Sequence, residues 1–272
     1  MRHALFAAAL VAGAGSAAAQ DAQDDAQDLA KQVSNPISSL ISVPFQFNYN
    51  DGYGPQGGHQ SYVNIQPVVP FSISPDWNLI LRTIVPVVDQ SDVVPGTGSQ
   101  FGLGDTTQSL FLSPKAPGPG GLIWGVGPAF LWPTATEEEL GSGKWGAGPT
   151  GVALVQKGPW TYGVLANHIW SFANAGDEDR PFYNQTFVQP FVAYNTPSAW
   201  TYTLNSESTY NWVTHDWSIP INALVTKTTR LGKLPVQFGL GARYWVEAPE
   251  NGPSGWGARA LVTFLFPTGK HP

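Results

Sequence analysis

The chain of 272 residues contains no cysteine and is poor in charged residues. The lack of cysteine excludes a disulfide framework and a thiol nucleophile, and no Cys/His spacing typical of a metal site occurs. Aspartate, glutamate, lysine and arginine together make up 12% of the residues, about half of the share that soluble domains usually have. The net charge is −6, which argues against nucleic acid as a partner.

Long apolar runs are also missing, apart from a short one at the N-terminus. Arg2 and His3 precede the apolar residues 4–11, and small residues at 17–19 precede Gln20. This order is typical of a secretory signal peptide over residues 1–19. No other segment approaches the roughly 18 apolar residues of a spanning helix. We therefore expect export from the cytoplasm, and not an inner-membrane protein.

An alternation of apolar and polar residues is the main feature that is present. Ile41, Val43 and Phe45 alternate with Ser42 and Gln46, and similar stripes recur about twelve times along the chain. Successive side chains of a strand point to opposite faces, so this period predicts half-apolar β-strands. Such strands can form a soluble sandwich or a barrel that stands in lipid.

The connections between the predicted strands favour the barrel. They alternate between short turns and longer loops, which is typical of an outer-membrane barrel with periplasmic turns and outer loops. Charge follows the same division. The long-loop side carries Asp51, Asp89, Asp92, Glu137, Glu138, Glu139, Asp177, Glu178, Asp179, Asp216, Glu247 and Glu250, and the short-turn side carries Lys115, Lys157, Lys227, Arg230 and Lys233, with Asp76 as its one acidic residue. We predict an all-β fold, a transmembrane antiparallel up-and-down β-barrel of about twelve strands in a Gram-negative outer membrane.

Tryptophan is frequent, with eleven residues, and most lie where a predicted strand begins or ends. An indole ring is apolar but keeps a polar N–H, so tryptophan prefers the membrane interface. The predicted aromatic girdle consists of Trp77, Trp132, Trp160, Trp170, Trp200, Trp212, Trp217 and Trp256, with Trp145 and Trp245 at further strand ends. We expect outer-membrane lipids and lipopolysaccharide as neighbours, and barrel-insertion machinery as a partner of the aromatic-ended last strand, Gly255–Phe266.

Three parts follow along the chain. Residues 1–19 are the predicted signal peptide, residues 20–36 a polar periplasmic leader, and residues 37–272 the barrel. The leader begins with several aspartates, and we expect it to be flexible or a short helix. It is either a solvated linker or a plug folded into the lumen.

The face opposite the apolar one is predicted to line the lumen. Charged side chains at mid-membrane depth are costly against lipid but tolerated inside a barrel. The candidate lumen-lining residues are Asn78, Arg82, Asp105, Asn205, Glu207, Arg243 and Arg259. They form either a polar constriction that selects solutes or a salt-bridged core that holds a narrow barrel closed.

His168, beside Asn167, suggests a lipid-active enzyme, because outer-membrane phospholipases use a Ser-His-Asn arrangement in which histidine activates serine. Ser171 is close in sequence, but the strand period places it on the opposite face. We therefore interpret His168 as a residue of the membrane interface, and predict no enzyme activity, no cofactor and no metal site. The acidic clusters at 137–139 and 177–179 are interpreted as solvated loop charge.

Several strings of the sequence resemble a widespread proteobacterial outer-membrane β-barrel family. Its members are labelled "transporter", sometimes mistakenly "neuromedin U", and it is related to an outer-membrane barrel family of the phenol meta-cleavage pathway. The resemblance rests on strings that include "NPISSLISVPFQFNYN", "GLGDTTQSLFLSPK", "GLIWGVGPAFLWPTAT" and "GWGARALVTFLFP". It implies an outer-membrane barrel and carries no catalytic or binding motif.

From these observations we expect a channel or transporter for the passive passage of small molecules. Hydrophilic solutes would cross a polar lumen, whereas small aromatic or other organic compounds would pass the outer loops near Tyr53, Phe101 and Trp217. The alternatives are a closed structural or adhesion barrel and the lipid-active enzyme.

Overall fold

A computed structural model describes residues 23–54, 56–176 and 179–267. The predicted signal peptide, residues 1–19, lies outside the described residues, as do Asp177, Glu178 and the C-terminal residues 268–272. Within the described ranges, no helix is long and apolar enough to cross a membrane.

The described residues form one helix, residues 23–33, followed by twelve antiparallel strands. The strands are β1 (Ile41–Tyr53), β2 (Gly58–Ile65 and Val68–Ser72), β3 (Trp77–Ser91), β4 (Ser99–Leu103 and Thr106–Pro114), β5 (Leu122–Trp132), β6 (Lys144–Lys157), β7 (Trp160–Asn174), β8 (Asn184–Asn195), β9 (Trp200–Ser206 and Ser208–Asn211), β10 (Asp216–Leu231), β11 (Leu234–Glu247) and β12 (Gly255–Phe266). Short 3₁₀ turns occupy Pro119–Gly121 and Glu138–Leu140.

Each strand pairs with the next in sequence, and the last strand pairs with the first. The closing ladder runs from Ile41 opposite Phe266 to Asn50 opposite Gly257. Closure satisfies the backbone groups of every strand, which the hydrocarbon core of a membrane requires because it offers no hydrogen-bond partners. The predicted all-β, antiparallel, twelve-stranded barrel is confirmed.

The alternation in the sequence predicts a strand over Gly104–Leu112, but the structure begins this strand earlier, at Ser99. Strand β4 contains a one-residue shift: Leu103 pairs with Val87, but Thr107 pairs with Ile84. Such a bulge moves the inward face from one residue parity to the other. A pattern with a single period therefore predicts only the half of β4 that follows the bulge.

The two ends of the barrel have different connections. On the turn side, residues 158–159 and 232–233 form two-residue turns in which Gly158 and Gly232 have φ angles of 57° and 63°. These positive angles suit glycine and match the twist of a hairpin. The opposite, loop side carries the longer segments 133–143 and 175–183. By the usual orientation of such barrels, the turn side faces the periplasm.

The outer face of the barrel is apolar and exposed. Side chains such as Leu240 (72% exposed) and Val126 (50% exposed) have no protein neighbour to cover them. A soluble protein would bury them, and a monomeric surface seldom exposes so much apolar area in one belt. Lipid is the environment that this belt fits.

The inner wall differs from the wet surface that the sequence pattern suggested. Toward the turn ends of β2 to β7, apolar inward residues pack into one cluster. The cluster contains Ile37, Val68, Ile80, Phe111, Val152, Leu154 and Leu165. Polar inward residues are concentrated on the opposite side, formed by β8 to β12 and β1, and the lumen is consequently half filled by an apolar core.

The described part of the leader continues beyond its predicted end to the start of β1, and residues 23–40, called the leader from here on, cover the turn side of the lumen. Leu29 packs with Leu40 and Leu265, and Ile37 inserts into the apolar cluster of the inner wall. Gln156 Nε2 donates to the carbonyl oxygen of Lys31 at 2.8 Å. The two alternatives for the leader are a solvated linker and a plug folded into the lumen, and these contacts fit a plug.

Candidate functional site: the lumen

A carboxylate between two arginines lies at the centre of the polar half of the lumen. Glu207 projects from the break between the two segments of β9, where the strand register continues unchanged. Arg259 binds it in a bidentate manner, with N–O distances of 2.9 and 2.7 Å, and Arg243 Nη2 lies 2.8 Å from Glu207 Oε2. Both guanidinium groups are buried, with 3% exposure of each arginine.

The remaining donors of these two arginines are also occupied. Arg243 Nε donates to Asn222 at 2.7 Å, and its Nη1 donates to the hydroxyl of Tyr62 at 2.7 Å. Arg259 Nε donates to Asn48 at 2.8 Å. Buried charges are tolerated when they are paired and hydrogen-bonded in this way. We call Glu207, Arg243 and Arg259 the ion triad.

Arg82 faces the ion triad from another part of the wall and lines the same cavity as Glu207 and Arg259, without a hydrogen bond to them. It extends from β3, and among the described residues its guanidinium makes one side-chain hydrogen bond, from Nη2 to Gln66 Oε1 at 3.2 Å. It forms no salt bridge with a described residue. Arg82 therefore has donors that none of the described residues uses.

Two cavities lie along the lumen and share Arg82 in their walls. The turn-side cavity, about 210 Å³, extends from the leader to Arg82, Asn205 and Glu207. The loop-side cavity, about 190 Å³, extends from Arg82 to Phe187, Asn167 and Tyr183. Strands β8 and β9 line both cavities. Phe191 and Thr203 face the turn-side cavity, and Phe187 and Thr209 face the loop-side cavity.

The other predicted lumen residues have different surroundings. Asn205 accepts a hydrogen bond from Asn222 at 2.8 Å and lines the turn-side cavity. Asn78 lies at the turn end of β3, opposite Ser72 and Ser113, and contacts neither cavity. The lumen-lining role of this set stays a prediction.

Asp105 holds an outer loop in the mouth of the barrel. Its carboxylate accepts hydrogen bonds from the backbone and hydroxyl of Ser142, both at 2.6 Å, and from the backbone of Ala135 at 3.3 Å. Gly102, which faces inward, leaves room for the loop, because a Cβ there would meet Thr136 Oγ1. The segment 133–143, which we call the mouth loop, therefore folds over the lumen.

We expect Asp105→Ala to release the mouth loop. Hydrogen bonds to a charged group contribute about 1.5–3 kcal/mol each, and the substitution removes three. Cleavage of the folded protein by a Glu-specific protease at Glu137–Glu139 should become at least tenfold faster. The matched control is Asp89→Ala, which removes an exposed carboxylate on the same side of the barrel. Equal cleavage of both variants would show that Asp105 does not hold the loop.

The predicted girdle residues lie on the outer face near the two ends of the barrel. At the turn end, Trp160 packs edge-to-face against Tyr194, with ring centroids 4.9 Å apart, and the ammonium of Lys227 lies over Trp200. At the loop end, the ring contacts are Trp132–Trp145, Trp170–His168, Tyr210–Trp212, Tyr210–Trp217 and Tyr244–Trp256. Trp77 packs edge-to-face against Trp124 at the turn end.

Trp245 is an exception to the outward pattern. Its indole N–H donates to Asn50 Oδ1 at 3.2 Å, and the guanidinium of Arg243 lies 5.3 Å from its ring centroid. It therefore packs beside the ion triad and not against lipid. Phe101 is 71% exposed on the outer face, so it does not line the path for aromatic compounds that the sequence suggested.

His168 does not have the surroundings of a catalytic histidine. Its Nδ1 lies 2.8 Å from the hydroxyl of Thr186, to which Trp212 also donates. Ser171 is buried on the inner face, where its hydroxyl accepts a hydrogen bond from the backbone of Tyr183. A Ser-His-Asn arrangement at His168 is not formed by the described residues.

Solved structures with the same architecture identify the class of fold. The chain matches no protein-family model and no curated protein. An outer membrane channel from Pseudomonas putida F1 superimposes with a TM-score of 0.63 at 15% identity, over 84% of this chain and 96% of that one. The chain is an outer-membrane β-barrel.

Two further barrels are more distant from this one. The outer membrane phospholipase A of Escherichia coli gives a TM-score of 0.47 at 11% identity, over 85% of this barrel and all of that chain. The KdgM porin gives 0.44 at 8% identity, over 83% of this barrel and 99% of that chain. Neither is close enough to support an inference about function.

Sequence reasoning missed a glutamine ladder near the mouth of the barrel. Gln60 Nε2 donates to Gln90 at 2.8 Å, and Gln90 Nε2 donates to Gln100 at 3.0 Å. The apolar pattern places Gln90 and Gln100 in a loop, because the strands extend further on the loop side than this pattern does. Polar residues that continue the alternation beyond each apolar stripe would have indicated the longer strands.

Proposed function

We propose that this barrel is an outer-membrane channel for the passive passage of small molecules. The observation that carries the proposal is the pair of cavities that share Arg82 in their walls and together extend from the leader to Tyr183. A barrel with only a structural role has no need for such spaces along its axis. The Pseudomonas putida barrel is itself a channel, but because a fold hosts many functions, the cavities and not the fold support this role.

Two elements control passage in this proposal. The leader closes the turn side through Leu29, Ile37 and Leu40, and the mouth loop narrows the loop side through Asp105. A solute would cross when these elements move, and would pass from one cavity to the other beside Arg82. The driving force is the concentration gradient of the solute, and no covalent chemistry is involved.

Cysteine labelling of a single strand tests the channel sharply, because the natural chain has no cysteine. Thr203 faces the turn-side cavity, whereas its neighbour Leu204 is 50% exposed on the outer face. In planar lipid bilayers we expect discrete conductance steps from Thr203→Cys and Leu204→Cys alike. A charged thiol reagent should lower the conductance of Thr203→Cys and leave that of Leu204→Cys unchanged.

Two outcomes of the labelling experiment would contradict the proposal. Silent bilayers, with protein whose gel mobility shifts on heating as that of a folded barrel does, would favour a closed structural barrel. Equal effects of the reagent on both variants would mean that current does not run through the lumen.

A further inference from the structure

We infer that Arg82 is a binding site for small organic anions, which it holds by their carboxylate as they pass between the two cavities. This inference rests on the proposed channel function and names the class of solute. The site consists of Arg82 together with the apolar side chains that flank it in each cavity.

The charge balance of the lumen is the first argument. At the level where the cavities meet, three guanidinium groups (Arg82, Arg243 and Arg259) face one carboxylate, Glu207, which leaves two positive charges in excess. A charged group in a narrow space with low-dielectric walls acts more strongly than in water. The lumen therefore attracts anions and disfavours cations.

Arg82 also has N–H donors that can still form hydrogen bonds. The guanidinium groups of Arg243 and Arg259 spend their donors on Glu207 and on the surrounding amides and hydroxyl. Arg82 has five N–H donors and gives one to Gln66. A planar guanidinium binds a carboxylate through two parallel hydrogen bonds, which a lysine ammonium cannot reproduce.

Apolar side chains flank Arg82 in both cavities and can contact the body of a bound anion. On the loop side of Arg82 the wall carries Ile84, Ile169 and Phe187. On the turn side it carries Phe191, Leu224 and Leu261. An anion that is polar all round, such as inorganic phosphate, would leave these surfaces without a partner. A carboxylate with an aromatic or short aliphatic body fits the charge and the apolar walls of either cavity.

These two walls also explain how such a solute would move. The carboxylate can stay on Arg82 while the apolar body turns from the loop-side cavity to the turn-side cavity. The cavity of about 190 Å³ limits the body to roughly the size of one ring. Benzoate is therefore the probe. Acetate, which lacks the ring, tests the contribution of the apolar body, and benzyl alcohol, which keeps the ring and has no charge, tests the contribution of the carboxylate.

The test uses the full mature chain in planar bilayers and in detergent. In a potassium chloride gradient, the reversal potential should indicate preference for chloride. Benzoate should reduce the chloride current in a saturable manner, more strongly than acetate, and benzyl alcohol should not. Arg82→Gln should weaken the benzoate effect at least tenfold, and Arg82→Lys should weaken it while retaining the preference for anions.

Lys227→Gln is the matched control, because it removes one positive charge from the outer face beside Trp200. Its benzoate effect should equal that of the unchanged chain. Conductance steps with a benzoate effect that is equal in Arg82→Gln and the unchanged chain would overturn the site and leave the channel standing. If no variant conducts, the channel proposal fails, and calorimetric titration of benzoate in detergent decides about the site: heat that Arg82→Gln abolishes supports it, and absence of heat overturns it.

Discussion

The Ile37→Asp variant is expected to conduct several times more current than the unchanged barrel. Ile37 is 4% exposed and inserts into the apolar cluster beside Phe111, where Gly125 leaves room for it. Moving its side chain out of water contributes about 1.5–3 kcal/mol, and an unpaired carboxylate in the same place costs several kcal/mol. Since about 1.4 kcal/mol changes an equilibrium tenfold, the leader should leave the lumen for most of the time.

The strands should survive this substitution, because their hydrogen bonds form a closed ladder that does not include the leader. Gln32→Asp is the matched control, since Gln32 is an exposed residue of the same leader, and it should conduct like the unchanged chain. A cysteine pair at Ser34 and Asn195, whose side chains are 3.2 Å apart, should hold the leader in place until it is reduced. If conductance is the same in all of these proteins, the leader is not the barrier.

The architecture could be predicted because one physical constraint dominates most strands. In β1, the inward Asn48 is 5% exposed and the outward Phe47 is 44% exposed, so a single alternation encodes both the strand and its orientation. By the same parity, Arg243 and Arg259 share the inner face, where each is 3% exposed. A charged side chain in a membrane-spanning strand is costly against lipid, so it faces the lumen.

The apolar half of the lumen could not be predicted from this rule. In β6, Val152 and Leu154 point inward, while the alternate residues Ala153 and Val155 face lipid and are also apolar. A strand with two apolar faces has no alternation to show which face is which. Ile37 reaches this half of the lumen from a segment outside the ladder, so its place depends on the assembled barrel.

The partners of the charged residues depend on the barrel as well. Glu207 on β9 meets Arg259 on β12 because the curved wall of the barrel brings inward side chains three strands apart together, although they are far apart in sequence. Asp105 was expected in the lumen wall, but the bulge in β4 places it under the mouth loop. Strand parity predicts the face of a residue, whereas its neighbours follow from register, stagger and bulges.

Glu207→Gln is expected to destabilise the barrel by about 3–5 kcal/mol, which is the usual cost of removing one partner from a buried ion pair. The substitution leaves Arg243 and Arg259 with like charges beside an amide that can accept fewer hydrogen bonds. Asp25→Asn is the control: it breaks the pair with Arg230, whose side chains are 63% and 40% exposed, and an exposed pair contributes about 0–1 kcal/mol. Urea unfolding in lipid vesicles measures both changes.

The double variant Glu207→Gln, Arg259→Gln distinguishes a closed ion triad from a hydrated one. If the triad is dry, removing one guanidinium relieves the repulsion, so the double variant should be more stable than Glu207→Gln alone and the coupling of the two sites should be large. If water fills the lumen at this level, it screens the two arginines, and Glu207→Gln alone should cost little. A small effect of that single substitution would contradict the buried ion triad and would mean that the two cavities are already joined by water in the resting barrel.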